Sequence, residues 1–227
     1  MATDTLARPQ LMVPDVMYLN VNETWRTAIS NVLITGTGSC EFMLTRPNSG
    51  DANGGYVSLY KDQISEQGEP VVRQFLDGKN SGKFTISSDK VDFTKNTYVL
   101  CYGPFYSASV YEVVTSVLII NGQAFMANSS MCQGISHEID KVTSYFKFDS
   151  NPQGFGRWDG YLIVREGATF GIGNEVGMIS IPKNGTTEGV ATVPINGNLK
   201  RGTTYNVTTS IYSNLRPVAG YTFTTAM

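Results

Sequence analysis

The sequence predicts an all-β protein built from two related sandwich domains in tandem. Turn-forming residues at short intervals, segments that alternate with period two, and an internal repeat lead there. Charged residues make up only 16 % of the 227 residues, and Gly, Thr, Ser, Asn, Val and Tyr are plentiful. That mixture suits short strands and tight turns better than helices.

The repeat is diverged but keeps its order. Val16-Met17-Tyr18-Leu19-Asn20 resembles Val117-Leu118-Ile119-Ile120-Asn121, and Cys40–Leu44 resembles Ser144–Phe148. Gly55-Tyr56-Val57-Ser58-Leu59 resembles Gly160-Tyr161-Leu162-Ile163-Val164, and Phe93–Tyr98 resembles Leu199–Tyr205 with one inserted residue. The offset, roughly 100 residues, grows slowly along the chain, as two copies with small loop insertions would give.

The elements follow in order. Met1–Met12 offers little apolar surface beyond Leu6, Leu11 and Met12, and reads as a mobile arm. Residues 13–110 form the first domain and 111–227 the second, with the junction near Ser107–Thr115. Val57, Leu59, Leu162 and Val164 fall on one alternating face of their strands, with Tyr56, Ser58, Tyr161 and Ile163 on the other. Lys83–Ser87 and Gly189–Val193 alternate similarly. Asn48–Gly54, Asp77–Gly82 and Lys183–Gly185 are turn chemistry, because Gly and Asn tolerate positive φ. His137–Ser144 is the best candidate for a short helical piece, and Tyr221–Thr224 for the last strand.

Leu199-x-x-Gly202-x-x-Tyr205-x-Val207, with Phe93-x-x-x-x-Tyr98-x-Leu100 as its looser copy, resembles the penultimate-strand signature of immunoglobulin-like and fibronectin type III domains. The resemblance implies that Tyr98 and Tyr205 each close a corner, with Leu100 and Val207 pointing into the core. Cys40 and Cys101 lie on strands that carry the inter-sheet disulfide of antibody-type domains. Yet Cys101 stands three residues after Tyr98, so alternation turns it away from the face of Leu100 and argues against that bridge. Three scattered cysteines point to a reducing folding compartment.

The net charge of -2 gives no reason to expect nucleic acid or an anionic membrane as partner. The start of the chain carries no secretory signal pattern, and no apolar run is long enough for a transmembrane helix. No catalytic set emerges. His137 is the one histidine and reads as a surface or turn residue, with Cys132 at a spacing that does not force contact. No metal pattern, cofactor fingerprint or phosphate loop is complete; Gly78–Lys83 reads as a solvated turn. The candidate ligand or partner contacts are aromatic. Trp158 shares its alternation phase with Leu162 and Val164, which favours core packing. Its alternative is a sugar-stacking platform with Phe155 and Tyr161. Trp25 lies in the polar stretch Asn22–Arg26 and reads as a partly exposed loop residue.

Taken together, the chain resembles accessory proteins of bacteriophage particles. The resemblance implies a non-enzymatic structural protein of the virion, folded in the host cytoplasm. It would bind other virion proteins as a capsid decoration or head–tail accessory, and an oligomer is compatible with that role. The alternative is a carbohydrate-binding or cell-surface adhesion module.

Overall fold

The computed structural model describes residues 20–46, 55–64, 69–76, 81–103, 113–148, 160–181, 188–211 and 216–226. Among these the chain is all-β, with sixteen strands and no helix. The first eight are β1 (Asn20–Arg26), β2 (Ala28–Gly36), β3 (Ser39–Thr45), β4 (Tyr56–Lys61), β5 (Val72–Phe75), β6 (Gly82–Ser87), β7 (Tyr98–Gly103) and β8 (Thr115–Ile120). The next eight are β9 (Gln123–Ser129), β10 (Met131–Glu138), β11 (Lys141–Lys147), β12 (Gly160–Glu166), β13 (Asn174–Ile181), β14 (Glu188–Pro194), β15 (Thr204–Ile211) and β16 (Arg216–Thr224).

These strands form four antiparallel sheets. Two have three strands, in the orders β2-β3-β6 and β10-β11-β14. Two have five, in the orders β5-β4-β7-β8-β9 and β13-β12-β15-β16-β1. The first small sheet packs on the first large one through β2 against β8 and β9. The second small sheet packs on the second large one through β10 against β15, β16 and β1. The same pairing order thus occurs twice, in the sandwich manner.

The inward faces follow the alternation. Cys40, Phe42 and Leu44 of β3, and Val142, Ser144 and Phe146 of β11, are buried, while the residues between them are half-buried. Val57, Leu59, Leu162 and Val164 lie in the main core, as their phase predicts. Phe42, Phe93 and Phe223 are buried there too, each burial contributing about 1.5–3 kcal/mol. β7 is buried along its whole length because both its faces are covered. Tyr98, Leu100 and Tyr102 join the main core, whereas Val99 and Cys101 join a second cluster with Tyr60, Ile64 and Val113. Cys40 therefore sits in one cluster and Cys101 in the other, and both are free thiols.

The two corner tyrosines behave alike. The Asp92 N–H donates to Tyr98 Oη at 2.9 Å, and the Lys200 N–H donates to Tyr205 Oη at 2.8 Å. Both rings are 1 % exposed, so each hydroxyl ties a connecting segment to the core. The segment beside each corner is held in the same way: the Phe93 N–H donates to Thr37 O, and the Leu199 N–H to Ile139 O.

The arrangement departs from simple tandem order at the ends of each repeat. β1 pairs with β16, in the sheet of β12, β13 and β15, although β2 belongs to the other sandwich. β9 pairs with β8, although β10 belongs to the second sandwich. Each eight-strand unit lends its first strand to the other. The crossings match as well. Thr27 donates both its N–H and its Oγ1 proton to Val218 O, at 3.1 and 2.9 Å, and Ser130 Oγ donates to Val114 O at 3.1 Å. One seam is the hairpin β8–β9, turned by Asn121 (φ 49°) and Gly122 (φ 75°). Two successive positive φ angles are what a type I′ hairpin requires and what Asn-Gly supplies. The other seam joins the two ends of the described chain without a covalent link.

Several expectations change accordingly. A cut between residues 110 and 111 does not separate the sheets, because β8 and β9 pair with the strands before it and β1 with the strands after it. The supposed helical piece His137–Ser144 is the hairpin β10–β11, turned at Ile139-Asp140. Its Lys141–Lys147 limb alternates with period two, which no helix permits. The counterpart of β8 in the pairing order is β16, not residues 16–20. Asn20 opens β1, which corresponds to β9; Val16–Leu19 and the arm Met1–Met12 lie outside the described residues.

Candidate functional site

Trp25 lies on a strand, not in a loop. Its Cα partner in β16 is Gly220. Its ring meets Phe170 edge-on, with centroids 4.8 Å apart and planes at 66°. Phe170, from the β12–β13 connection, lies over Gly220, where an added Cβ would come within 2.6 Å of its ring. Gly220 thus admits Phe170, and Phe170 seats Trp25. The residues around Trp25 are polar because β1 is an outer strand, with Glu23, Thr24 and Arg26 exposed and Trp25 itself half-buried.

Thr24, Trp25 and Arg26 face Met131, Cys132 and Gln133 of β10 across a cleft of about 280 Å³. It opens where the borders of a five-stranded and a three-stranded sheet run side by side. Tyr161 is half-buried on β12, between Ser180 and Ser210. Three steps of the strand order separate it from β1, so the structure does not bring it to Trp25. Phe155 and Trp158 lie outside the described residues.

His137 overturns the reading of a surface or turn histidine: it is 5 % exposed. Its Nε2 lies 3.0 Å from Tyr221 Oη, and Ser144 Oγ lies 2.8 Å from the same hydroxyl. The ring also packs on Phe223, with centroids 4.2 Å apart. Cys132 is buried on the same strand. Five residues would normally place Cys132 and His137 on opposite faces, but a register shift between Gly134 and Ser136 restores the phase and turns both inward. Gly134 and the extra apolar Ile135 were the only signals of that bulge in the sequence.

Burial decides the chemistry of this cluster. It lowers the His137 pKa from 6.5 to about 4, so the imidazole is neutral near pH 7. It raises the Cys132 thiol well above its ordinary value, against a smaller opposing hydrogen bond at the Thr209 backbone. Tyr221 is raised as well, first by burial and then by the neighbouring Cys132, against the Ser144 hydrogen bond. A nucleophilic thiol needs the opposite shift. These groups hold the two sheets together through a polar contact: His137 and Ser144 come from one sheet and Tyr221 from the other.

Among the described residues, no group of three or more His, Cys, Asp or Glu is placed to hold a metal ion. Asn206 opens the stretch Asn206-Val207-Thr208, whose spacing is that of a glycosylation acceptor, and is fully buried. Its Nδ2 donates to Gly167 O and Ile172 O, both at 3.0 Å, and its Oδ1 accepts from the Gly171 N–H at 3.1 Å. It anchors the β12–β13 connection and has no atom free for a glycan. Comparison with protein-family models and with curated proteins gives no match.

Proposed function

We propose that the chain is a non-enzymatic structural and interaction protein that acts as an accessory component of a bacteriophage particle, bound to other virion proteins. Capsid decoration and head–tail attachment are the roles that suit it. The observation that carries the structural reading is the reciprocal exchange of β1 and β9. Neither sandwich can leave the other without breaking a sheet, which suits a part that must keep its shape under load. The buried Cys132 supports it too, because burial raises its thiol pKa and so opposes nucleophilic chemistry there. The assignment to a particle rests on the resemblance of the sequence. It is tested by purifying the particles of the host phage and identifying this chain, with its cross-linked neighbour, by mass spectrometry. Absence from intact particles overturns the role.

A second reading, a carbohydrate-binding module, is favoured by the cleft beside Trp25. Titrating glycans against tryptophan fluorescence tests it. A response in the wild type that Trp25→Ala removes would move the function to the cleft.

A further inference from the structure

The cleft of about 280 Å³ between β1 and β10 has a matching seam in the first sandwich, between β9 and β2. By register, Thr24 corresponds there to Ala127, Arg26 to Ser129 and Gln133 to Ser30. The fold therefore requires neither a charge nor long polar side chains at this seam. Thr24 and Arg26 stand opposite Tyr221 and Ala219, which lie in the main core. Directly opposed residues share a face, so both side chains leave β1 on the side of β10. Glu23 and Trp25 leave on the other side, where the Trp25 ring meets Phe170. Glu23 is thus turned away from Arg26, and among the described residues the Arg26 side chain has no hydrogen bond or ion pair. Lys147, opposite Met131, is paired with Glu188. Thr24, Arg26 and Gln133 are exposed, Met131 is half-buried, and the buried Cys132 closes the floor. Both strands are interrupted beside the cleft: β1 shifts register between Val21 and Glu23, and β10 between Gly134 and Ser136. Such bulges blunt an edge against the addition of another strand, so the cleft suits a compact ligand better than an extended peptide. Its volume is at the lower end of small-molecule sites.

We propose that this cleft binds an acidic sugar unit, a uronate or sialate ring of a glycan. The Arg26 guanidinium fork takes the carboxylate. The Thr24 hydroxyl and the Gln133 amide each both donate and accept, which is what neighbouring sugar hydroxyls need, and Met131 offers apolar surface to the ring. The proposal rests on the carbohydrate reading of the cleft and names the class of sugar; it does not depend on the particle role.

The experiment titrates the full chain at constant ionic strength with glucuronate, galacturonate and N-acetylneuraminate, and with the neutral sugars glucose and galactose. N-acetylglutamate supplies a carboxylate without a sugar ring. Binding is read from the NMR shifts of the Thr24, Arg26, Met131 and Gln133 amides. At least one acidic sugar is expected to shift these amides saturably, and to bind about tenfold tighter than the neutral sugars and N-acetylglutamate. Arg26→Gln should abolish that preference and leave thermal unfolding unchanged, because the side chain is exposed. Equal affinity for the neutral sugars overturns the acidic class while the carbohydrate reading stands. Equal affinity for N-acetylglutamate overturns the sugar and leaves a bare carboxylate site. No saturable shift of these amides with any sugar overturns the proposal and the carbohydrate reading together, and a preference that survives in R26Q overturns the role of Arg26. Should R26Q not fold, Gln133→Ala replaces it: weaker binding of the acidic sugar supports the site, and unchanged binding overturns it.

Discussion

Acid should loosen the second sandwich through His137. The imidazole is buried against Tyr221 and Phe223, and burial lowers its pKa from 6.5 to about 4. Below pH 6.5 the unfolded chain takes up a proton that the folded chain refuses. The stability tied to this group is therefore complete above pH 6.5 and is lost as the pH falls towards 4. At about 1.4 kcal/mol per pH unit, the loss reaches about 3 kcal/mol by pH 4. That is a large share of the 5–15 kcal/mol typical of a domain. The comparison is His137→Ile, because Ile34 occupies the matching position of the first sandwich. The replacement leaves Tyr221 with Ser144 as partner. Urea unfolding at pH 7.5, 5 and 4 is measured for both proteins. Carboxylates titrate equally in the two, so the difference between them isolates His137. The variant should gain about 3 kcal/mol on the wild type between pH 7.5 and pH 4. Parallel pH profiles would refute a buried neutral imidazole, as would an NMR titration of His137 in the folded protein near pH 6.5.

Tyr98→Phe and Tyr205→Phe should each lose about 1–2 kcal/mol in chemical denaturation, because the Asp92 or Lys200 N–H loses its partner; a neutral result in both would deny the corners any energetic role. Deleting residues 1–27 removes β1 and leaves the border of β16 bare, so thermal unfolding should drop by several degrees, whereas deleting residues 1–10 should leave it nearly unchanged. An equal effect of the two deletions would show that the β1–β16 seam does not contribute. Val207→Asp and Leu100→Asp should unfold the chain, since both sites are fully buried in the main core; a folded variant by circular dichroism would contradict their placement. Cys40, Cys101 and Cys132 should resist alkylation in the native protein and all react without reductant after unfolding, because each is buried and unbridged. Mass spectrometry counts the labels.

Much of the strand content could be read from local alternation, which depends only on neighbours along the chain. The inward phase of Val57, Leu59, Leu162 and Val164 and the outward turn of Cys101 away from Leu100 follow from period two, and the equivalence of Tyr98 and Tyr205 from the internal repeat. The hairpin that places β9 beside β8 is equally local, in the Asn121-Gly122 pair, but it was not among the turns expected from the sequence.

What the sequence by itself determined is therefore the strand class, the phase of most inward faces and the doubled corner. Only the tertiary structure decided where β1 belongs. Its pairing partner lies at the far end of the chain, and no local pattern encodes a register across that distance. Tertiary structure also decided that Trp25 packs on Phe170, that a bulge turns Cys132 and His137 to the same side, and that Arg165 lies buried with a single hydrogen bond. Burial is a property of what covers a residue, and here the covering groups come from strands distant in sequence.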